Sequence, residues 1–221
     1  MTADKLLLRL RALDTCAVSD ALDTLSLPGA TTGVRALWFA SVVVGRARTI
    51  QAGPRPSDGS AAHIAAAAID DSGETDVLVI ANDGRLDVSC FGGILTRASV
   101  RRGVRGVVID GACRDIAESR ELGFPVFGRA VVPVSARGRI VQLSMDQTIE
   151  FARVRVDSGD LVIADGNGVV FVPAARAEDV IGMAELIAAR EWRMATAVDV
   201  GEPVTDVMHD SKFPTLEDLD R

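Results

Sequence analysis

Between residues 60 and 127 the chain alternates short, unbroken apolar runs with segments of helical pattern, and few architectures accommodate that order. TDVLVIAND (75–83) and VRGVVIDG (104–111) are runs of strand length with no polar face, as in strands buried on both sides, and PVF (125–127) begins another. Around them lie SAAHIAAAAID (60–70), small, apolar and helix-prone, and FGGILTRASVRRG (91–103), a helix begun by two glycines. RDIAESRELG (114–123) is a short amphipathic helix closed by Gly123. The alternation predicts an α/β layer in which helices cover a largely buried sheet.

The flanks extend this picture. Leu6, Leu7, Leu10 and Leu13 fall at helical spacing, and Thr15 is placed to cap a second helix running toward Leu25, which Pro28-Gly29 ends. FASVVVGRARTIQA (39–52) is a clear strand, followed by the breaker-rich loop GPRPSDG (53–59). After about residue 130 strands and turns dominate, with DSGD and DGNG as turn chemistry. A long helix is expected from Ala174 to about Val198, and an acidic tail follows. A chain of 221 residues is long enough for one well-buried domain, so residues 1–221 are expected to form a single unit with its core at about 15–198 and a tail at 199–221.

Charge and composition narrow the function. A net charge of -7 argues against nucleic acid or an anionic membrane as partner, since both need a basic face. No run approaches the roughly 20 apolar residues of a membrane span. Charges threaded through MTADKLLLRLRALD argue against a signal peptide, so a cytoplasmic protein is expected. Cys16, Cys90 and Cys113 show no paired spacing and are expected to be small buried hydrophobes. With only His63 and His209, a metal would sit among oxygen ligands, which favours magnesium or manganese. The only lysines are Lys5 and Lys212, each near a terminus, so covalent lysine chemistry is not expected.

Two short stretches carry candidate chemistry. Gly92-Gly93 precedes an apolar helix, where the first amides lack intrahelical acceptors and glycine lets an anion approach them. It is either a carboxylate-binding turn made by the amides of Gly92, Gly93, Ile94 and Leu95 or a tight loop entering a helix. Arg114-Asp115 follows a buried strand, at the edge where open α/β sheets bind ligands. There a guanidinium can grip a carboxylate and an aspartate can hold a hard cation; the pair also suits an exposed ion pair starting a helix. His63 is taken as a packed or surface residue of an alanine-rich helix, and Asp165 as a turn former. Arg97, Arg101, Arg102 and Arg105 are taken as a solvated basic face or subunit contacts.

FGGILTRASVRRGVRGVVIDGACRDIAESRELGFPVFGR, with SDAL (19–22), TDVLVIAND and the late DGNGVVFVP, resembles the signature stretches of the RraA-like family. That family includes class II pyruvate aldolases cleaving 4-hydroxy-4-methyl-2-oxoglutarate and 4-carboxy-4-hydroxy-2-oxoadipate. The resemblance implies a swivelling β/α/β domain, assembled as a homotrimer ring or a hexamer with sites at subunit interfaces. It implies that the amides of Gly92 to Leu95 and Arg114 hold the pyruvyl carboxylate of a 2-oxo acid and that Asp115 anchors a magnesium or manganese ion. It also implies oxaloacetate decarboxylation through the same enolate.

The aldolases are marked by an acid, twenty intervening residues, Arg-Asp and a further acid. Here the first acid is replaced by Gly93, and the last is Glu118. Glu191, on the C-terminal helix, is placed for a neighbouring subunit to complete the site. A different expectation comes from family members that bind and inhibit ribonuclease E, for which the loss of the acid at Gly93 would mark a non-catalytic regulator. A third is the same scaffold acting on another 2-oxo acid.

Overall fold

The computed structural model describes residues 2–38, 41–57 and 62–209. Two helices open the chain, α1 (Thr2–Leu10) and α2 (Thr15–Thr24), followed by the short strand β1 (Arg35–Ala36) and the long strand β2 (Val43–Pro54). Then α3 (Ala66–Asp70), β3 (Asp76–Ser89), α4 (Gly93–Arg102), β4 (Gly106–Cys113), α5 (Ile116–Glu121) and β5 (Val126–Gly128) alternate. Strands β6 (Ala130–Val131) and β7 (Ile140–Met145), the hairpin β8 (Ile149–Phe151) and β9 (Val154–Val156), and β10 (Leu161–Asp165) and β11 (Gly168–Val172) come next. A 3-10 turn at Ala174–Arg176 leads into the long helix α6 (Ala177–Asp199), and α7 (Val204–Val207) follows.

The main sheet runs β1-β5-β4-β3-β2-β10-β11, with β6 also on β4 and β7 also on β2. Strands β2 to β5 are parallel, while β10, β11 and β1 join antiparallel. The stretch before β1 lies beside β11, through the Ala30–Val170 bridge and the hydrogen bond from Phe171 N to Gly29 O at 2.9 Å, so the sheet curls until it nearly closes.

That curl explains the unbroken apolar runs. In a strand successive side chains point to opposite faces, so a run needs cover on both. Val77, Val79 and Ala81 of β3 face the inside, with Val162 and Ala164 of β10. Leu78 and Ile80 face outward against a cluster that includes Ala68 and Ile69 of α3 and Leu95 of α4. Leu161 and Ile163 face outward against Ala17, Val18 and Ala21 of α2 and Val180, Ile181 and Ala184 of α6. The inside is filled by the β8–β9 hairpin, whose Phe151 meets Phe171 edge to face at 5.1 Å. Phe151 is fully buried, so Phe151→Ala is expected to cost about 3–5 kcal/mol. For a chain of this size that lowers Tm by roughly 10 °C, read by circular-dichroism melting.

Local signals account for most element ends, with two departures. Asp14, not Thr15, caps α2: its side chain accepts from Ala17 N at 2.8 Å, while the Thr15 hydroxyl donates to Asp165 Oδ1 at 2.7 Å. Asp165 is therefore buried beneath the start of α2 as well as shaping its own turn. The helix expected over 60–70 shrinks to α3, because Ala65 sits at φ 64° and no helix continues through a left-handed residue. His63 lies in the loop before it. Cys90 and Cys113 are buried as expected, whereas Cys16 is exposed. Positions 39–40, 58–61 and the tail from 210, with Lys212, lie outside the described residues. No described helix is long and apolar enough to cross a membrane.

Candidate functional site

Because β2, β3 and β4 are parallel, their carboxyl ends open on one edge of the sheet, where ligands of such sheets bind. Gln51, Ala81 and Asp110 share a rung, and just beyond it lies a cavity of about 420 Å³, the size of a metabolite site. The turn Gly92 to Leu95, Arg114 and Asp115 all line it.

The turn is held to the end of β4 by backbone. Cys90 N donates to Ala112 O at 3.0 Å, and Arg114 N donates to Phe91 O at 2.9 Å. Asp115 is left-handed, φ 57° and ψ 36°, a conformation that aspartate tolerates better than most residues. Its Oδ2 accepts the Gly93 N–H at 2.9 Å and lies 3.4 Å from Arg114 Nε. Gly93 N–H is thus directed to Asp115, and Gly92, Ile94 and Leu95 carry the remaining amides that the helix does not use. A Cβ at Gly92 would come within 2.8 Å of Asp115 Oδ2 and 3.1 Å of the Arg114 stem, so a side chain there would displace the Asp115 carboxylate.

Glu118 and Glu191 are placed differently. Glu118 lies outside the cavity lining, paired with Arg97, and its carboxylate fills the space a side chain at 93 would take. Glu191 stands on α6 and is not among the residues that line the cavity of its own chain. Burial, and then the Asp14 and Asp20 carboxylates, push its pKa above the usual range. A carboxyl with a raised folded pKa penalises folding at neutral pH, and that penalty disappears as the pH falls through the raised value. Glu191→Gln is therefore expected to raise Tm at pH 7 and to lose that advantage once the pH falls below the ordinary glutamate value of about 4.3, by melting on both sides of that window.

Three cavity residues escaped the sequence reading as site residues: Arg55, His63 and Arg137. Each sits in a loop, and only the placement of Arg55 between two prolines after an apolar strand hinted at a fixed position. Cys90 also lines the cavity, but burial pushes its thiol up to about 12, so it stays protonated and is no nucleophile.

A family model described as RraA-like, Aldolase/RraA, matches residues 15–171. Protein DlpA of Legionella pneumophila is 31% identical over 209 residues, which are 95% of this chain; the chain spans about a third, 34%, of that protein's length. The 4-hydroxy-4-methyl-2-oxoglutarate aldolase of Thermus thermophilus is 29% identical over 105 residues, 48% of this chain and 63% of that one. The crystal structure of an uncharacterized Pseudomonas syringae protein superposes with a TM-score of 0.84 at 29% identity, covering 94% of this chain and 98% of that one.

Proposed function

The chain belongs to the RraA-like family, and from that premise we propose that it is a divalent-metal-dependent carbon–carbon lyase. In this reading it cleaves a 4-hydroxy-2-oxo acid of the 4-hydroxy-4-methyl-2-oxoglutarate type to pyruvate and also decarboxylates oxaloacetate. One observation carries the reading: the start of α4, the Arg114 guanidinium and the Asp115 carboxylate line one cavity at the carboxyl edge of parallel strands.

The residues divide the work. Arg114 grips the C1 carboxylate as a planar fork, and the Ile94 and Leu95 amides receive it at the positive end of α4. Asp115 is the residue that would hold the metal. Among the described residues no group of three or more His, Cys, Asp or Glu side chains is arranged to hold a metal ion. Magnesium is commonly held by one or two carboxylates with water and substrate oxygens completing the shell, so a half-exposed Asp115 with one oxygen uncommitted fits it. Bound there, the ion supplies Lewis acidity toward the keto oxygen. As the C3–C4 bond breaks, its electron pair passes to the pyruvyl fragment as an enolate. The C4 hydroxyl loses its proton and becomes a carbonyl, and C3 regains a proton. In oxaloacetate the departing group is carbon dioxide. Arg114 fixes the carboxylate throughout, so the charge develops where the site is already arranged for it.

Glu118 acts in this reading as a positioning residue, through Gly93 and Arg97. A homotrimer or hexamer in which Glu191 of one copy serves the cavity of the next belongs to the same proposal. The test is pyruvate release from oxaloacetate and from 4-hydroxy-4-methyl-2-oxoglutarate, with magnesium and with a chelator. Release that the chelator abolishes is expected; no release, or release indifferent to the chelator, rejects the reading.

A further inference from the structure

The cavity holds more positive charge than one substrate carboxylate requires. Arg55, Arg114 and Arg137 line it, against the single carboxylate of Asp115 among the described residues, in a chain whose net charge is -7. Among the described residues no ion pair engages Arg55 or Arg137, although nine arginine–carboxylate contacts form elsewhere. Their backbone positions place them together. Arg55 directly follows Pro54, whose partner across the β2–β7 ladder is Ile140, and Arg137 lies in the turn that leads into that same residue.

Arg55 and Arg114 follow the ends of β2 and β4, the two strands that flank β3, past the rung shared by Gln51, Ala81 and Asp110. Arg55 and Arg137 therefore line the same cavity as Arg114 from the other side of β3, which sets them apart from the carboxylate anchor at Arg114.

We infer that Arg55 and Arg137 form a second anion subsite, which takes the distal carboxylate of a 2-oxo diacid whose C1 carboxylate is held by Arg114. The assignment of the two ends rests on the lyase reading; the binding itself does not. Arginine suits this role because its fork stays charged and meets a carboxylate through two parallel bonds. A monoacid leaves both guanidiniums in water and gains nothing from them.

The experiment is calorimetric titration of the full chain, in magnesium, with 2-oxoglutarate and with 2-oxobutyrate. It compares the wild type with the double variant Arg55→Gln, Arg137→Gln. The wild type is expected to bind the diacid about 10–100-fold more tightly, and the double variant to bind both equally, with 2-oxobutyrate affinity unchanged. Circular dichroism checks that the variant is folded. Equal affinity for the two acids in the wild type, a preference that survives in the folded variant, or no binding of either acid overturns the inference. Because binding is measured without turnover, a chain that shows the predicted preference yet releases no pyruvate would refute the lyase reading and leave the subsite standing.

Discussion

Arg114→Ala is expected to lower kcat/KM for pyruvate release by about 10²–10³-fold, the cost of losing one well-placed donor to developing charge. In the proposed lyase the guanidinium has two duties. It anchors the carboxylate, and it stands 3.4 Å from Asp115, balancing a negative charge that would otherwise repel the incoming acid. Its removal leaves the Ile94 and Leu95 amides as the anchor on that side, and two amides do not replace a charged fork. Arg114→Lys restores little, because an ammonium cannot make the two parallel bonds. The side chain is half-exposed and the link to Phe91 O is through backbone, so the fold should survive in both variants. A spectrophotometric assay of pyruvate formation decides it, and an alanine variant within three-fold of wild type would remove Arg114 from the site.

Two substitutions at Asp115 separate charge from geometry. Both Asp115→Asn and Asp115→Ala are expected to abolish metal-dependent turnover, by about 10³-fold or more, since neither offers a hard anionic oxygen. Their stabilities should differ. Asparagine tolerates the left-handed backbone at φ 57° and keeps an oxygen for the Gly93 N–H. Alanine loses that bond and meets a left-handed penalty of about 1–2 kcal/mol, so only the alanine variant should melt several degrees lower. Manganese binding followed by electron paramagnetic resonance provides the second readout. An asparagine variant that binds manganese and turns over like wild type would show that the carboxylate charge is not needed.

The parts of this protein legible in its sequence are those where neighbours along the chain do the work. TDVLVIAND and VRGVVIDG announced strands because burial on both faces leaves a continuous apolar record, and Gly92-Gly93 and Arg114-Asp115 stood out because each flanks such an element. Arg55, His63 and Arg137 left no comparable record as cavity residues. Arg55 and His63 come from the stretch between β2 and α3, Arg137 from the turn before β7, and they meet only because β2 and β7 pair, which local pattern does not encode. The alanine-rich stretch misled for another reason. Alanine favours helix wherever the backbone allows it, and at Ala65 tertiary structure imposes a left-handed turn that propensity cannot register. The β8–β9 hairpin, folded inward to fill the curled sheet, likewise shows in the sequence only as two short apolar segments.

Glu118 and position 93 compete for one volume, and this shapes the paths by which the sequence can change. An acid introduced at 93 is expected to move the Glu118 carboxylate, the mobile end of its side chain, from the position in which it meets Arg97. The aldolase pattern carries an acid at both places, so the two are compatible once that end has turned. A replacement at 93 is thus read out at 97 and 118 as well, and a library that varies the three positions together samples arrangements that single changes miss.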